Sequence, residues 1–322
     1  MRAYEVLILS GADDPTADAV AVELERRDVR YGRLDTGDFP TRLRLAVDTR
    51  AGRWTGRLGG SDTDIDLSAI RSVYYRRPTR FRLPEGMSQA DQVFAAAEAR
   101  HAIGGLLASL DVLWVNDPMK QAAAEYKPLQ LATAAAAGLR TPATLLTNHQ
   151  PSAAEFAEAV GGSVVCKQMS SLTFVEDDHV RMTYTTRIDP AAIDPDQFAA
   201  TAHLIQEWVP KVYEARVTVV GREPFAVAIR SSSDVGRLDW RADYDSLSYS
   251  PTEMPDDVRA GIGAFMDTLD LTFGAFDFVI TPTGDWVMLE CNPAGQWLWL
   301  EHETGVPIAA ALASLLRRGS LR

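Results

Sequence analysis

The stretch GAFDFVITPTGDWVMLECNPAGQW, residues 274–297, holds two runs apolar enough to be buried strands, AFDFVIT and WVMLECN, and each carries one carboxylate. A charge survives inside a sheet only with a partner, so Asp277 and Glu290 restrict how these runs can fold. PTGD between them reads as a hairpin turn. With Thr283-Gly284 as a two-residue loop, or PTGD as a four-residue loop, Asp277 falls directly opposite Glu290. An odd loop length would put the two acids on opposite faces. Asn292, two residues beyond Glu290, points to the same side as Glu290. Like charges directly across an antiparallel pair repel, so the arrangement calls for a positive charge between them or for protonation of one. A hard divalent cation meets that need, and Mg²⁺ commonly takes a few carboxylates together with substrate phosphates. The plain alternative is an edge hairpin with solvated acids. Phe276, Phe278, Val279, Val287 and Leu289 argue instead for a core hairpin.

The basic residues add a second constraint. The chain has 28 Arg but only four Lys, at 120, 127, 167 and 211. A lysine ammonium is a compact point charge and an arginine a wide planar fork, so a lysine kept in an arginine-rich chain can mark a place where the compact charge is needed. Lys167 ends the apolar run SVVCK beside Gly161-Gly162 and suits a polyphosphate. Lys127 opens the helix KPLQLATAAAAG, where backbone N–H groups also favour anions. LIQEWVP (204–210) reads as an extended segment able to offer backbone groups to an adenine edge, with Glu207 and Glu214 as acceptors for base-side and ribose groups. Arg216, Arg230 and Arg241 supply forked donors suited to a transferring phosphate or a substrate carboxylate.

Strands and helices alternate over the first ~115 residues, which suggests an open α/β layer: EVLILS, the helix PTADAVAVELERRDV, YGRLDTGDF, a hairpin turning at RAGR, SVYY, a helix over about 89–109, and DVLWVN. SGADDP after the first strand lacks a glycine-rich dinucleotide fingerprint. The expected divisions are 1–115, 116–204 and 205–322, the last rich in strands and closed by the helix VPIAAALASLLRRG. No apolar run approaches the roughly 20 residues that span a bilayer. Two cysteines, Cys166 and Cys291, form no disulfide framework, which favours a reducing, cytoplasmic setting. A net charge of −12 argues against coating nucleic acid or an anionic membrane. Arg76 and Arg77 in VYYRRPTRFR therefore suit either a pocket for an acidic peptide or packing against the C-terminal lobe.

Taken in order, KPLQL, VVCK, QEWVPKVYEAR, DWR, AFDFVIT and LECNPAGQW resemble the ATP-grasp ligases. VYYRRP and ECNPAGQW are more narrowly similar to the ATP-grasp maturases of ribosomal peptides, the microviridin-type or graspetide ligases. The resemblance implies an α/β (α+β) ATP-grasp fold, with a pre-ATP-grasp α/β domain followed by two lobes that clamp ATP. It implies that Lys127 and Lys167 hold the ATP phosphates, that Glu207, Trp208 and Val209 frame adenine, and that Glu214 binds ribose. Asp277, Glu290 and Asn292 would bind Mg²⁺, usually two ions, and Arg216, Arg230 and Arg241 would face the phosphates or the incoming carboxylate. KQMSSLTF stands where many relatives place a glycine-rich loop, a departure from the pattern.

The implied reaction activates a carboxylate as an acyl phosphate for attack by a nucleophile. In this branch the partner is a precursor peptide whose leader docks on the enzyme. Its core Asp or Glu side chains are joined to Thr or Ser hydroxyls as lactones, or to Lys amines as lactams. The segment 170–188 is the expected leader-docking hairpin, with Glu176, Asp177 and Asp178 at its turn. A homodimer is compatible with the family. Two rivals accompany this reading: a ligase that adds amino acids to a protein or small acid, like the ribosomal-protein glutamate ligases, and an idle ATP-binding partner that only grips a peptide.

Overall fold

A computed structural model of the chain describes residues 4–60, 63–170, 174–176, 179–181, 185–233, 236, 240 and 243–321. The first region comprises β1 (Val6–Leu9), α1 (Pro15–Arg26), β2 (Tyr31–Leu34), β3 (Arg44–Arg50), β4 (Arg53–Gly59), β5 (Asp64–Asp66), β6 (Ser72–Tyr75), α2 (Gln89–Ala108) and β7 (Leu113–Val115). Four of these strands form a parallel sheet in the order β2-β1-β6-β7. A parallel strand covered on both faces reads as an unbroken apolar run, and VLIL in β1 is such a run. Val6 and Ile8 pack with Val20 and Leu24 of α1, whereas Leu7 and Leu9 pack with Ile103, Leu106 and Leu107 of α2. The Asp14 carboxylate accepts from the N–H groups of Thr16 and Ala17 and so starts α1, with Pro15 in the first turn.

The second region runs through α3 (Pro118–Ala124), α4 (Lys127–Ala136), β8 (Thr144–Thr147), α5 (Gln150–Ala159), β9 (Val164–Lys167), β10 (Phe174–Glu176), β11 (His179–Arg181), β12 (Thr186–Ile188), α6 (Pro195–Ala199) and β13 (His203–Glu207). Its antiparallel sheet has the order β12-β9-β13-β8. It packs α5 and α6 on a small core of Ala153, Ala157, Val164, Phe198 and Ile205. β10 and β11 pair as a separate two-stranded ribbon within the segment expected to be a hairpin.

The third region contains β14 (Tyr213–Val220), β15 (Glu223–Ser231), β16 (Leu247–Pro251), α7 (Asp256–Thr268), β17 (Phe273–Ile280), β18 (Trp286–Asn292), α8 (Leu298–Thr304) and α9 (Ile308–Arg318). All five strands are antiparallel, ordered β16-β15-β14-β17-β18. One face carries α7 and α4: Phe276, Phe278 and Ile280 share a core with Ile262, Phe265, Ala134 and Leu139. The other face looks toward the first region and, at the opposite strand ends, into a cleft.

The three expected regions follow each other in sequence, but the boundaries move in space. The break at 204/205 falls inside β13, which pairs with β8 and β9, so the second sheet ends after Glu207. α3 and α4, expected in the central lobe, lie against the third sheet, because the apolar side of that sheet and its edge strand β18 need cover. α9 returns to the first region, placing Ile308, Leu312, Leu315 and Leu316 against Val20, Leu24 and Tyr74. Among the described residues no helix is long and apolar enough to cross a membrane.

Candidate functional site

The hairpin β17–β18 reaches the acid pairing by a route the sequence conceals. Its loop has an odd length: Thr281 N–H donates to Asp285 O at 3.0 Å and Gly284 N–H to Thr281 O at 2.9 Å. Gly284 sits at φ +86°, the left-handed residue that closes a three-residue loop. Pairing then runs Ile280↔Trp286, Val279↔Val287 and Phe278↔Met288, a register that on its own would put Asp277 opposite Leu289. A β-bulge intervenes. Leu289 is the extra residue, and beyond it Asp277 faces Glu290 and Ala275 faces Asn292. The bulge returns both acids and Asn292 to one face. Asn292 Nδ2 lies 3.3 Å from Asp277 Oδ2.

The chain supplies the positive charge that this juxtaposition demands. Arg216 stands beside Asp277 on β14 and its Nη1 donates to both carboxylate oxygens at 2.6 Å. Asp277 and Arg216 are 4% and 5% exposed, so this is a buried pair. Lys127 Nζ donates to Glu290 Oε2. Lys127 is placed there by α4, whose Gln130 side chain donates to Cys291 O and accepts from Cys291 N–H, both at 2.8 Å. A glutamine thus completes the edge of β18 one residue past Glu290. The Cys291 thiol is pushed well above its ordinary range, chiefly by burial.

These groups border a cleft of about 570 Å³, measured to its open mouth, between the second and third sheets. Asp277, Val279 and Glu290 form one wall, Val165 and Lys167 another, and Glu207, Trp208 and Val209 link the two sheets between them. Glu207 is doubly tied: its N–H donates to Ala143 O at 3.0 Å and its Oε1 accepts from Ala143 N–H at 3.0 Å. Trp208 N–H donates to Ser163 O at 2.8 Å, and the Arg187 guanidinium lies 4.4 Å from its ring centroid. Glu214 also lines the cleft and pairs with Lys211. Lys211 is a cleft residue absent from the expected set. Its signal was lysine scarcity: Lys167 and Lys211 line the cleft and Lys127 bonds Glu290, while Lys120 pairs with Asp270 at the surface. Among the described residues no three His, Cys, Asp or Glu side chains cluster for a metal ion. The oxygen donors here are two carboxylates and one amide.

Other expected residues fall elsewhere. Arg230 alternates with Ile229, the residue across from Glu214, and so projects from the opposite face of the sheet. There its guanidinium lies over the Tyr213 ring at 4.5 Å and donates to Ser250 Oγ at 3.1 Å. Arg241, Asp177 and Asp178 lie outside the described residues; Glu176 pairs with His179 along the backbone of β10–β11. Arg76 is buried. It is 3% exposed, and its Nη1 donates to Ala294 O and its Nη2 to Gln296 Oε1, each at 2.5 Å. Of the two uses expected for the RRP segment, Arg76 takes packing against the C-terminal lobe. VYYRRP and ECNPAGQW are therefore one structural unit in contact. Arg77 is exposed, and partial desolvation and Arg76 together lower its pKa from the ordinary guanidinium value.

Residues 5–122 match the family model described as the MvdD pre-ATP grasp domain. No curated protein matches the chain. Solved structures match it from end to end. The Chryseobacterium gregarium RiPP-associated ATP-grasp ligase, in complex with ADP and a leader and core peptide, is 26% identical with a TM-score of 0.90, over 98% of this chain and 97% of its own. Macrocyclase MdnC from Microcystis aeruginosa, bound with precursor peptide MdnA, is 28% identical with a TM-score of 0.84, over 98% and 99%. Macrocyclase MdnB from the same organism is 29% identical with a TM-score of 0.80, over 98% and 99%. With the cleft built between its second and third sheets and this likeness running its whole length, the chain has a fold similar to that of the ATP-grasp ligases and resembles the graspetide-type peptide maturases throughout.

Proposed function

We propose that the chain is an ATP- and Mg²⁺-dependent ligase that forms side-chain ester or amide crosslinks in a ribosomally made precursor peptide. A peptide carboxylate takes the terminal phosphoryl group of ATP, releasing ADP. A hydroxyl or amine of the same peptide then attacks the acyl carbon and phosphate leaves. The observation that carries this reading is the opposition of Asp277 and Glu290, with Asn292 on the same face, in the wall of a cleft that also holds Lys167, Trp208 and Glu214. Similar proteins bound to ADP and to leader and core peptides support the substrate class.

The donor set fits a hard cation, since Asp277 and Glu290 offer four carboxylate oxygens and Asn292 an amide whose oxygen faces them when the group turns over. Bound there, Mg²⁺ would offset the charge of a transferring phosphoryl group. Lys127 and Arg216 hold the acids in place beforehand, so the site is assembled without ligand. Lys127 then passes from Glu290 to phosphate oxygens, a short move for a flexible ammonium. Lys167 completes the phosphate contacts, the Glu207–Val209 linker frames the base, and Glu214, released by Lys211, takes ribose hydroxyls. No protein nucleophile is needed, which agrees with thiols held protonated by burial at Cys166 and Cys291. Leader docking belongs to the β10–β11 ribbon.

Incubation of the enzyme with a Thr/Ser- and Asp/Glu-rich precursor peptide, Mg²⁺ and ATP tests this by mass spectrometry. The expected product has lost one water per ring, and Glu290→Gln abolishes it while leaving peptide binding in place. Gain of an amino-acid residue mass, or normal turnover in the variant, contradicts the reading.

A further inference from the structure

Behind Asp277 a line of polar groups runs back to the first region, with Arg216, Arg76, Thr16 and Asp14 buried and Gln296 exposed. Arg216 Nη2 donates to the backbone oxygen of Gln296 at 3.3 Å. The Gln296 side-chain oxygen accepts from Arg76 Nη2 at 2.5 Å and from Thr16 Oγ1 at 2.9 Å. Arg76 Nε lies 3.4 Å from Asp14 Oδ2, and Asp14 caps α1. Arg76 also grips Ala294 O, so the loop that carries the Gln296 carbonyl is held by the first region at both ends of its short span. Among the described residues Arg216 Nε has no hydrogen-bond partner. Its guanidinium is therefore oriented by Asp277 on one side and by this carbonyl on the other.

We infer that Gln296, Arg76 and Thr16 are positioning residues that hold Arg216 behind Asp277 and thereby set how tightly that carboxylate takes a divalent cation. This rests on the reading of Asp277 as a metal ligand. With the carbonyl fixed, Arg216 balances the charge of Asp277 from the rear, while Asp277 lines the cleft. With the carbonyl released, the guanidinium loses its hydrogen bond on the side away from Asp277 and can shift over the carboxylate, where it competes with the cation. Partners one step removed from a metal ligand commonly change metal affinity by about 10- to 100-fold.

Mn²⁺ binding to the full chain, read by electron paramagnetic resonance with and without ADP, tests the inference on wild type, Gln296→Ala, Arg76→Lys and Thr16→Val, each checked for folding by urea denaturation. Gln296→Ala and Arg76→Lys should weaken Mn²⁺ about tenfold or more. Thr16→Val, which removes one hydrogen bond from a nearly isosteric side chain, should weaken it about threefold. Metal-free ADP affinity should not change. If Gln296→Ala does not fold, the other two variants carry the same measurement. Unchanged Mn²⁺ affinity in the folded variants overturns the positioning role, as does an equal loss of metal-free ADP binding. Failure of wild type to bind Mn²⁺ at all overturns the metal site and this inference together.

Discussion

At the scale of single residues, Asp277 shows how a sheet interior accommodates charge. Burying an ion costs several kcal/mol unless a well-oriented partner compensates, and Arg216 does so with two 2.6 Å bonds. Cys291, beside it on the other face of β18, shows the opposite solution: burial keeps its thiol protonated. Between the ordinary thiol pKa of about 8.5 and its raised folded value, the unfolded chain has lost a proton that the folded chain retains. Stability therefore falls as pH rises through that interval, by up to about 1.4 kcal/mol per pH unit. Urea unfolding at pH 8, 9 and 10 should show this slope in wild type and a shallower one in Cys291→Ala, where the Cys166 thiol still contributes; parallel slopes would contradict the assignment. Much at this scale was legible in the sequence. Asp277, Glu290, Lys127 and Lys167 announced themselves as charges where apolar runs or scarce lysines made them conspicuous. Arg76 did not, because an arginine in a basic stretch looks the same whether it faces solvent or is 3% exposed against another region. Gln130 carried no signal either, since its role is to imitate a strand edge for Cys291.

Among the elements, the hairpin was read correctly in outcome and incompletely in cause. An odd loop was expected to separate the acids, and the loop is odd; the Leu289 bulge corrects it. Apolar patterning cannot reveal a bulge, because Leu289 simply extends the apolar run WVML that leads into Glu290. The helix α7 was missed for a related reason. Gly261 and Gly263 weaken its helical signal, yet Gly261 is there for packing: a Cβ at that position would lie 2.6 Å from Leu139 Cδ2. At Gly263 a Cβ meets nothing within 4 Å. The two positions therefore respond with opposite sign. Gly263→Ala should stabilise by about 1 kcal/mol through helix propensity. Gly261→Ala gains the same propensity but overpacks the contact with α4 at a cost of about 1–3 kcal/mol, for a net loss. Urea denaturation of the two variants checks this, and stabilisation by both would contradict the packing described.

Over the whole molecule, the β17–β18 hairpin is held by the residue that follows β7. Asn116 donates to Phe273 O and Pro293 O, each at 2.8 Å, and its Oδ1 accepts from the N–H groups of Thr272 and Phe273 at 2.7 and 2.9 Å. One buried amide thus ties the start of β17 to the residue after β18. Asn116→Ala leaves several of these buried groups unsatisfied at about 1–3 kcal/mol each. Its urea midpoint should fall by that order, with tryptophan fluorescence and circular dichroism no longer coincident; an unchanged, coincident transition would show the regions to be joined by other means. Sequence order suggested three successive lobes. It could not show that α4 and α9 cross to neighbouring lobes, since an amphipathic helix specifies that it needs cover but not from which sheet. The proposed reaction requires Asp277, Glu290 and Asn292 to act together on a metal–nucleotide complex. Calorimetric titration of ADP into wild type and Glu290→Gln, each with and without Mg²⁺, measures that directly. Mg²⁺ should tighten ADP binding about tenfold or more in wild type and have little effect in the variant; equal enhancement in both would rule out a role for Glu290 in holding the metal.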